Sequence, residues 1–306
     1  MKGTTIAVLS CAFFGLSPIF EKTLLKHMSP LALSALHSLL AGVLLVFLLE
    51  FAHKLWEITC LCRRDKIILL LTAGMVGVFG PIFYLHGLKL TSVANTLLIG
   101  RSNSLMIALF ATILLRERLT VHQVLGSILM ISGLIIIFSR GFRFGYEFRI
   151  GDIYILIASF FWALSAVLMK KYLQHVPPEV IVVARNFIGG IILLFFALPD
   201  ISQVEMVWEI PVYLMGLALF GVILAQLLWY SALEHTKASN VGIASISIPI
   251  FGSFFAAIFL GETLETYQMI GGGLVLIGLT AMEIHLSILN VGNLKRRLKL
   301  RHHLHH

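Results

Sequence analysis

Charge is scarce in this chain: Asp, Glu, Lys and Arg make up 12% of 306 residues, against 58% hydrophobic residues and a mean hydropathy of +0.96. A soluble domain carries roughly 25% charged and 45–50% apolar residues, so composition excludes a soluble fold and points to a polytopic membrane protein. The length accommodates about ten spans of about 20 residues each and leaves no room for a sizeable soluble domain. Cysteine is also scarce. Cys11, Cys60 and Cys62 are too few for a disulfide framework, and Cys60-Leu-Cys62 reads as a reduced loop pair rather than a metal site. There is no Gly-x-x-x-x-Gly-Lys-Ser/Thr loop and no His-Glu-x-x-His, so neither ATP-driven pumping nor zinc proteolysis has support. Glu50-Phe-Ala-His53 has helical metal-ligand spacing, but it falls at the end of a span, where an interfacial pair explains it. No metal, no cofactor and no catalytic set is expected. The net charge of +8 does not imply a nucleic-acid partner, because the Lys and Arg residues lie between hydrophobic spans and in the tail.

What the chain has is a duplication. Residues 91–126 return at 236–271, an offset of 145 positions. Eleven of the 36 positions are identical: Thr91/Thr236, Asn95/Asn240, Ser102/Ser247, Phe110/Phe255, Ala111/Ala256, Ile113/Ile258, Leu115/Leu260, Glu117/Glu262, Leu119/Leu264, Gln123/Gln268 and Gly126/Gly271. Apolar bias alone does not align Asn, Glu, Gln and Thr, so this is an internal repeat. At an offset of 148 the earlier parts align too, through Ser17/Ser165, Lys22/Lys170, Leu25/Leu173, His27/His175, Pro30/Pro178 and Gly42/Gly190. Tyr84 and Trp229 also correspond.

The hydrophobic pattern places spans at 4–25, 31–50, 66–88, 91–115, 121–140, 151–173, 179–198, 211–234, 238–260 and 267–287. The first stretch resembles a signal peptide, with Val-Leu-Ser-Cys ending at Cys11, but the apolar run continues to about Leu25 and reads as the first span. The predicted organisation is a first repeat at 1–140, an external linker at 141–150, a second repeat at 151–287 and a basic tail at 288–306. Five spans per repeat make the second copy enter from the opposite side, so the repeats are expected to be inverted. With both termini cytoplasmic, fifteen Lys and Arg residues fall inside and six outside, while Arg101 and Arg185 lie within spans. The arginines around the linker count against this orientation, yet the total favours it. The tail reads as a topology anchor, with binding to anionic lipid head groups as the alternative.

Two five-helix repeats, each with Glu-x-Leu-x-x-x-Gln-x-x-Gly leading into its last helix (Glu117 to Gly126 and Glu262 to Gly271), resemble the EamA-type transporters of the drug/metabolite transporter superfamily. The resemblance covers about residues 4–287 and implies an all-α fold of inverted repeats around a central cavity. Helices 1, 3, 4, 6, 8 and 9 are implied to line that cavity, and export or import of metabolites is the implied activity. One departure stands out: where such proteins often carry a Pro midway along helix 4, this chain has Ser104, while Pro249 is retained in helix 9. Any bend in helix 4 then falls to Gly100, with Pro18 as a further kink candidate in helix 1.

Thr120 and Gln123 match a capping box at the start of helix 5, and helix-terminus structure explains Glu117 and Glu262. Gly126, Gly133, Gly271 and Gly278 repeat small residues at seven-residue spacing, which close helix packing explains. Arg185, equivalent to His37, can snorkel. Arg101 is different. It lies about ten residues into helix 4, about 15 Å deep in a core of about 30 Å, where a charge costs about 2.5–3.5 kcal/mol on the insertion scale. It must face a watery cavity, as a donor fork for a carboxylate or phosphate, or a permanent ion-pair partner such as Glu21. Ser102 and Asn103 follow it at about 100° steps. Glu21, in the outer part of helix 1 beyond Pro18, is either a coupling candidate or paired with Lys22 or another cation.

The candidate substrate-binding residues are Arg101, Ser102, Asn103, Asn95, Tyr84, Trp162, Trp229, Tyr230, Asn240 and Ser247, with the aromatics offering polar edges. The expected activity is secondary transport of a small organic metabolite, an amino acid or another anionic or zwitterionic solute, across the cell membrane by alternating access. The partners expected are that solute and membrane lipid. A membrane scaffold or lipid-binding assembly factor is the alternative, and Arg101-Ser102-Asn103 argues against it.

Overall fold

In hydrocarbon every backbone N–H and C=O must find its partner within the chain, and an apolar sequence of this kind meets that demand with helices. The computed structural model describes residues 2–51, 62–142, 149–176, 178–202, 204, 207–236 and 238–282, and among these there is no strand. The helices are α1 (Lys2–Leu24), α2 (Pro30–Phe51), α3 (Arg63–Leu90), α4 (Val93–Leu114) and α5 (Val121–Phe138). They continue with α6 (Ile150–Tyr172), α7 (Pro178–Ile201), α8 (opening with Glu209–Gly216 and closing with Ala225–His235), α9 (Ala238–Ser245 and Ile248–Leu260) and α10 (Thr266–Met282). Nine of these helices are long and apolar enough to cross a membrane, and α10 is apolar but shorter among the described residues. The expected all-α, multi-span architecture is therefore present. His53, Cys60, Lys237, residues 143–148 and the basic tail lie outside the described residues, as does the side chain of Glu50.

Helix starts follow the local chemistry. The Thr120 hydroxyl accepts from the Gln123 amide at 3.3 Å while the Gln123 side chain accepts from the Thr120 amide at 2.9 Å, the capping box the sequence predicts. Its counterpart keeps half of that device, with the Glu265 amide donating to Gln268 Oε1 at 2.8 Å. Ser92 caps α4 through the Asn95 amide at 3.2 Å. Two stretches widen to π-helix, Met75–Phe79 in α3 and Leu217–Leu224 in α8. In α3 the stretch precedes Pro81, whose missing N–H cannot complete the regular ladder.

Both α4 and α9 break in mid-course. Arg101 separates Val93–Gly100 from Ser102–Leu114 with φ −67° and ψ −15°, and Ser247 precedes Ile248–Leu260 at φ −75° and ψ −14°. The break in α4 thus forms without a proline, next to Gly100. Pro249 starts the second half of α9, where its lost donor costs nothing. Pro18 lies inside the continuous helix α1.

Close approaches recur in equivalent pairs. A Cβ added at Gly126 would lie 2.5 Å from the Gly278 carbonyl oxygen, and one at Gly133 would lie 2.5 Å from that of Gly271, so α5 and α10 cross antiparallel on all four repeat glycines. In the same way Gly42 abuts the Phe187 backbone and Gly190 that of Leu39, fixing α2 against α7. Gly151 approaches Leu90 as Gly3 approaches Thr236 and His235. The first helix is thereby built into the bundle: Gly15 also meets the backbone of Gly252 in α9.

Candidate functional site

The broken middles of α4 and α9 face α1 and α3. The Arg101 guanidinium lies near Cys11 of α1 and Tyr84 of α3, and the Cys11 thiol lies against the Ser247 hydroxyl of the α9 break. Tyr84 neighbours the Glu21 carboxyl. Its ring centroid stands 5.4 Å from that of Trp162 on α6, and Trp162 is seated against Gly80, where any Cβ would strike the indole. Five of the proposed residues, Arg101, Tyr84, Ser247, Glu21 and Trp162, with Cys11 beside them, thus converge from five helices on one region.

Among the described residues no carboxylate lies within 4.0 Å of Arg101, although the side chain is largely enclosed. The arrangement is therefore not a direct Arg101–Glu21 ion pair. Nor does Lys22 pair with its neighbour Glu21; it reaches Glu262 at 2.6 Å. Glu21 is only 7% exposed, and its Oε2 has no hydrogen-bond partner. Ser102 Oγ and Asn103 Oδ1 are likewise buried without a partner. Buried polar atoms without partners are rare because each forfeits its hydration, and here two of them belong to the residues that directly follow Arg101 in the chain, while the third, on α1, lies across Tyr84 from it. Such a set can bind an anionic group through the guanidinium fork and a hydrogen-bonding group beside it.

Other predicted residues sit elsewhere. Trp229 packs edge-on against Phe14, with centroids 6.0 Å apart, on the α1–α8 side. The Tyr230 side chain lies outside those described. Asn95 and Asn240 each stand six residues before a helix break, about 9 Å along the axis at about 1.5 Å per residue, and at opposite ends of the bundle. Asn240 Nδ2 donates to Thr236 Oγ1 at 3.0 Å.

Asn95 belongs to a buried cluster at the end that carries the 141–150 connection. There Thr91 Oγ1 donates to Asp152 Oδ1 at 2.5 Å, Asn95 Nδ2 bridges Thr91 and Asp152 at 3.4 Å each, and Gln268 Nε2 donates to Asn95 Oδ1 at 2.7 Å and Ser92 Oγ at 2.9 Å. Beside it Lys22 Nζ donates to Glu262 Oε1 and to the Thr91 carbonyl, both at 2.6 Å, while Glu262 Oε2 accepts the Val93 amide at 2.9 Å. The glutamate thus satisfies a free amide at the start of α4 and favours its positive end. At the opposite end Lys170 Nζ meets Glu117 Oε1 at 2.8 Å. Sequence reasoning assigned both glutamates to their own helix ends and did not single out Asp152. The available signal was an acid in the first turn of an apolar span, together with the Lys22/Lys170 and Glu117/Glu262 equivalences.

Comparison with known proteins finds similarity over both halves. The model of the EamA-like transporter family matches residues 1–139 and 149–283. The chain is 30% identical over 285 residues to an uncharacterized transporter of Methanothermobacter thermautotrophicus, covering 89% of this chain and 83% of that one. It is 26% identical over 292 residues to a probable amino-acid metabolite efflux pump of Salmonella typhimurium, with 91% and 93% covered. A solved crystal structure aligns with a TM-score of 0.63 at 18% identity over 94% of this chain and 98% of that one, a likeness of fold.

Proposed function

The chain belongs to the EamA-like transporter family and is a multi-pass membrane transporter, and from that premise we propose that it is a secondary transporter of a small organic acid or zwitterion, with amino acids favoured. The observation that carries this reading is Arg101 at the break of α4 with no carboxylate partner among the described residues, followed in the chain by the unpartnered Ser102 Oγ and Asn103 Oδ1, with the unpartnered Glu21 Oε2 across Tyr84. The carboxylate of the solute lies on Arg101, and its polar remainder faces Ser102, Asn103, Glu21 and the rings of Tyr84 and Trp162. The name of the Salmonella relative, a probable amino-acid metabolite efflux pump, agrees with this class.

The two halves, 1–140 and 151–287, act as inverted repeats that rock about this site, one end opening as the other closes. The antiparallel crossings of equivalent helices, α2 on α7 and α5 on α10, support the inversion. The excess of Lys and Arg at the end where the chain starts supports a cell-membrane protein with both termini cytoplasmic.

The test is a metabolite screen in proteoliposomes with matched acidic and neutral ligands, run on the parent and on Arg101→Gln. Saturable flux of an acidic or zwitterionic solute, lost in the variant, supports the reading. Absence of flux across a broad panel favours a membrane scaffold.

A further inference from the structure

The two ends of the bundle are closed by equivalent residues that do not do equal work. Lys22 and Lys170 are equivalent at the offset of 148, and Glu117 and Glu262 at 145. Each lysine reaches the glutamate of the other repeat, Lys22 to Glu262 and Lys170 to Glu117. Each pair ties the last turn of the first helix of one repeat to the turn before the last helix of the other. Thr91/Asn95 and Thr236/Asn240 are equivalent as well and make the same internal hydrogen bond at the two ends.

Beyond that the ends diverge. The Lys22 and Glu262 side chains are 23% and 20% exposed and hold the Thr91 carbonyl and the Val93 amide, whereas Lys170 and Glu117 are 57% and 49% exposed. An exposed pair contributes little, while enclosed charge-assisted bonds with backbone partners contribute more. The sharper difference is Asp152. It accepts from Thr91 and Asn95 in the buried cluster, and its equivalent at the offset of 148 is Thr4, which is exposed. Thr4 follows Gly3, which abuts Thr236, just as Asp152 follows Gly151, which abuts Leu90 beside Thr91. Gln268 joins the cluster through Asn95 and Ser92, while its equivalent Gln123 is used in the capping box with Thr120. One end therefore carries a carboxylate at the place where the other carries a hydroxyl.

We infer that Lys22–Glu262 and Lys170–Glu117, both formed in this structure, are latches that open one at a time, and that Asp152 against Thr4 makes the connection end the one that stays closed in the substrate-free protein. This rests on the alternating-access reading above, but its test uses no substrate. Spin labels are placed at equivalent exposed positions, Lys26 with Leu264 at the connection end and Gln174 with Leu119 at the other, on a full-length background without its native cysteines, in lipid nanodiscs. Pulsed electron spin resonance then reads both separations.

The parent is expected to give a short, narrow Lys26–Leu264 distribution and a longer or broader Gln174–Leu119 distribution. Asp152→Thr, which gives both ends the same residue at this place, shifts the closed-to-open ratio at the connection end by roughly tenfold, the order expected for lost charge-assisted hydrogen bonds, and shortens Gln174–Leu119. Thr4→Asp removes no buried group and adds the missing carboxylate, so it shortens Gln174–Leu119 from the other direction. The inference fails if folded Asp152→Thr leaves both distributions as in the parent or lengthens both together. It fails equally if Thr4→Asp leaves Gln174–Leu119 unaltered. Flux that persists in either case keeps the transport reading and removes only the latch.

Discussion

At the residue scale the decisive contrast is between Arg101 and the other spanning arginine, Arg185. Arg185 packs against α3, where its carbonyl meets Gly77, and it has partners of its own. Arg101 stands at a helix break among unpartnered polar atoms. Charge-assisted hydrogen bonds contribute about 1.5–3 kcal/mol, so Arg101→Gln is expected to weaken acidic ligands by roughly tenfold to a hundredfold and leave neutral analogues unchanged, read by ligand-induced thermal shift. Equal loss for both classes, with a lower melting temperature, returns Arg101 to a structural role. Glu21 has one oxygen buried without a partner, so an amide fills its place at little cost in stability. Glu21→Gln is expected to fold, to retain counterflow exchange and to lose proton-driven accumulation, because an amide cannot load a proton. Unaltered pH dependence of uptake removes Glu21 from coupling.

At the element scale the glycines separate packing from propensity. In an isolated helix Gly→Ala gains about 1 kcal/mol. At Gly133, however, the new Cβ would lie 2.5 Å from the Gly271 carbonyl oxygen, and overpacking of that kind costs about 1–3 kcal/mol. Backbone cannot swing aside as a flexible side chain can, so Gly133→Ala is expected to lower the melting temperature. Gly273→Ala, whose Cβ would meet nothing within 4 Å, is expected to hold or raise it. A stabilised Gly133→Ala would mean that α5 and α10 do not cross this closely. The capping box at Thr120 was legible because its parts lie three residues apart. The break of α4 was less so, since Ser104 removes the proline signal and Gly100 alone is a weak one.

At the scale of the whole molecule the proposed topology puts the connection outside. On a background without native cysteines, Phe142→Cys is expected to react with a membrane-impermeant maleimide on intact cells, and Leu119→Cys only after permeabilisation. Both positions are exposed, so access to them reports sidedness rather than burial. The opposite pattern reverses the orientation.

Composition and the length of the apolar runs by themselves determined a helical membrane protein, because an uninterrupted apolar stretch of about 20 residues spans hydrocarbon with its backbone satisfied as a helix. Internal identity, carried by Asn, Glu, Gln and Gly at fixed offsets, is what the proposed division into two five-helix halves rests on. Periodicity and depth likewise marked Arg101 as a charge in need of a reason. None of these could say which side chains meet, since Lys22 and Glu262 are far apart along the chain and come together only when α1 reaches the α9–α10 turn. The tertiary structure alone decided that Asn95 lies in a buried end cluster rather than beside Arg101, and that Asp152 completes that cluster. It also decided that Arg101 has no carboxylate partner among the described residues. The physical reason is that hydrophobic pattern selects the face a helix turns inward, while pairing among the few polar groups on that face depends on crossing points set by backbone contacts such as Gly126 on Gly278.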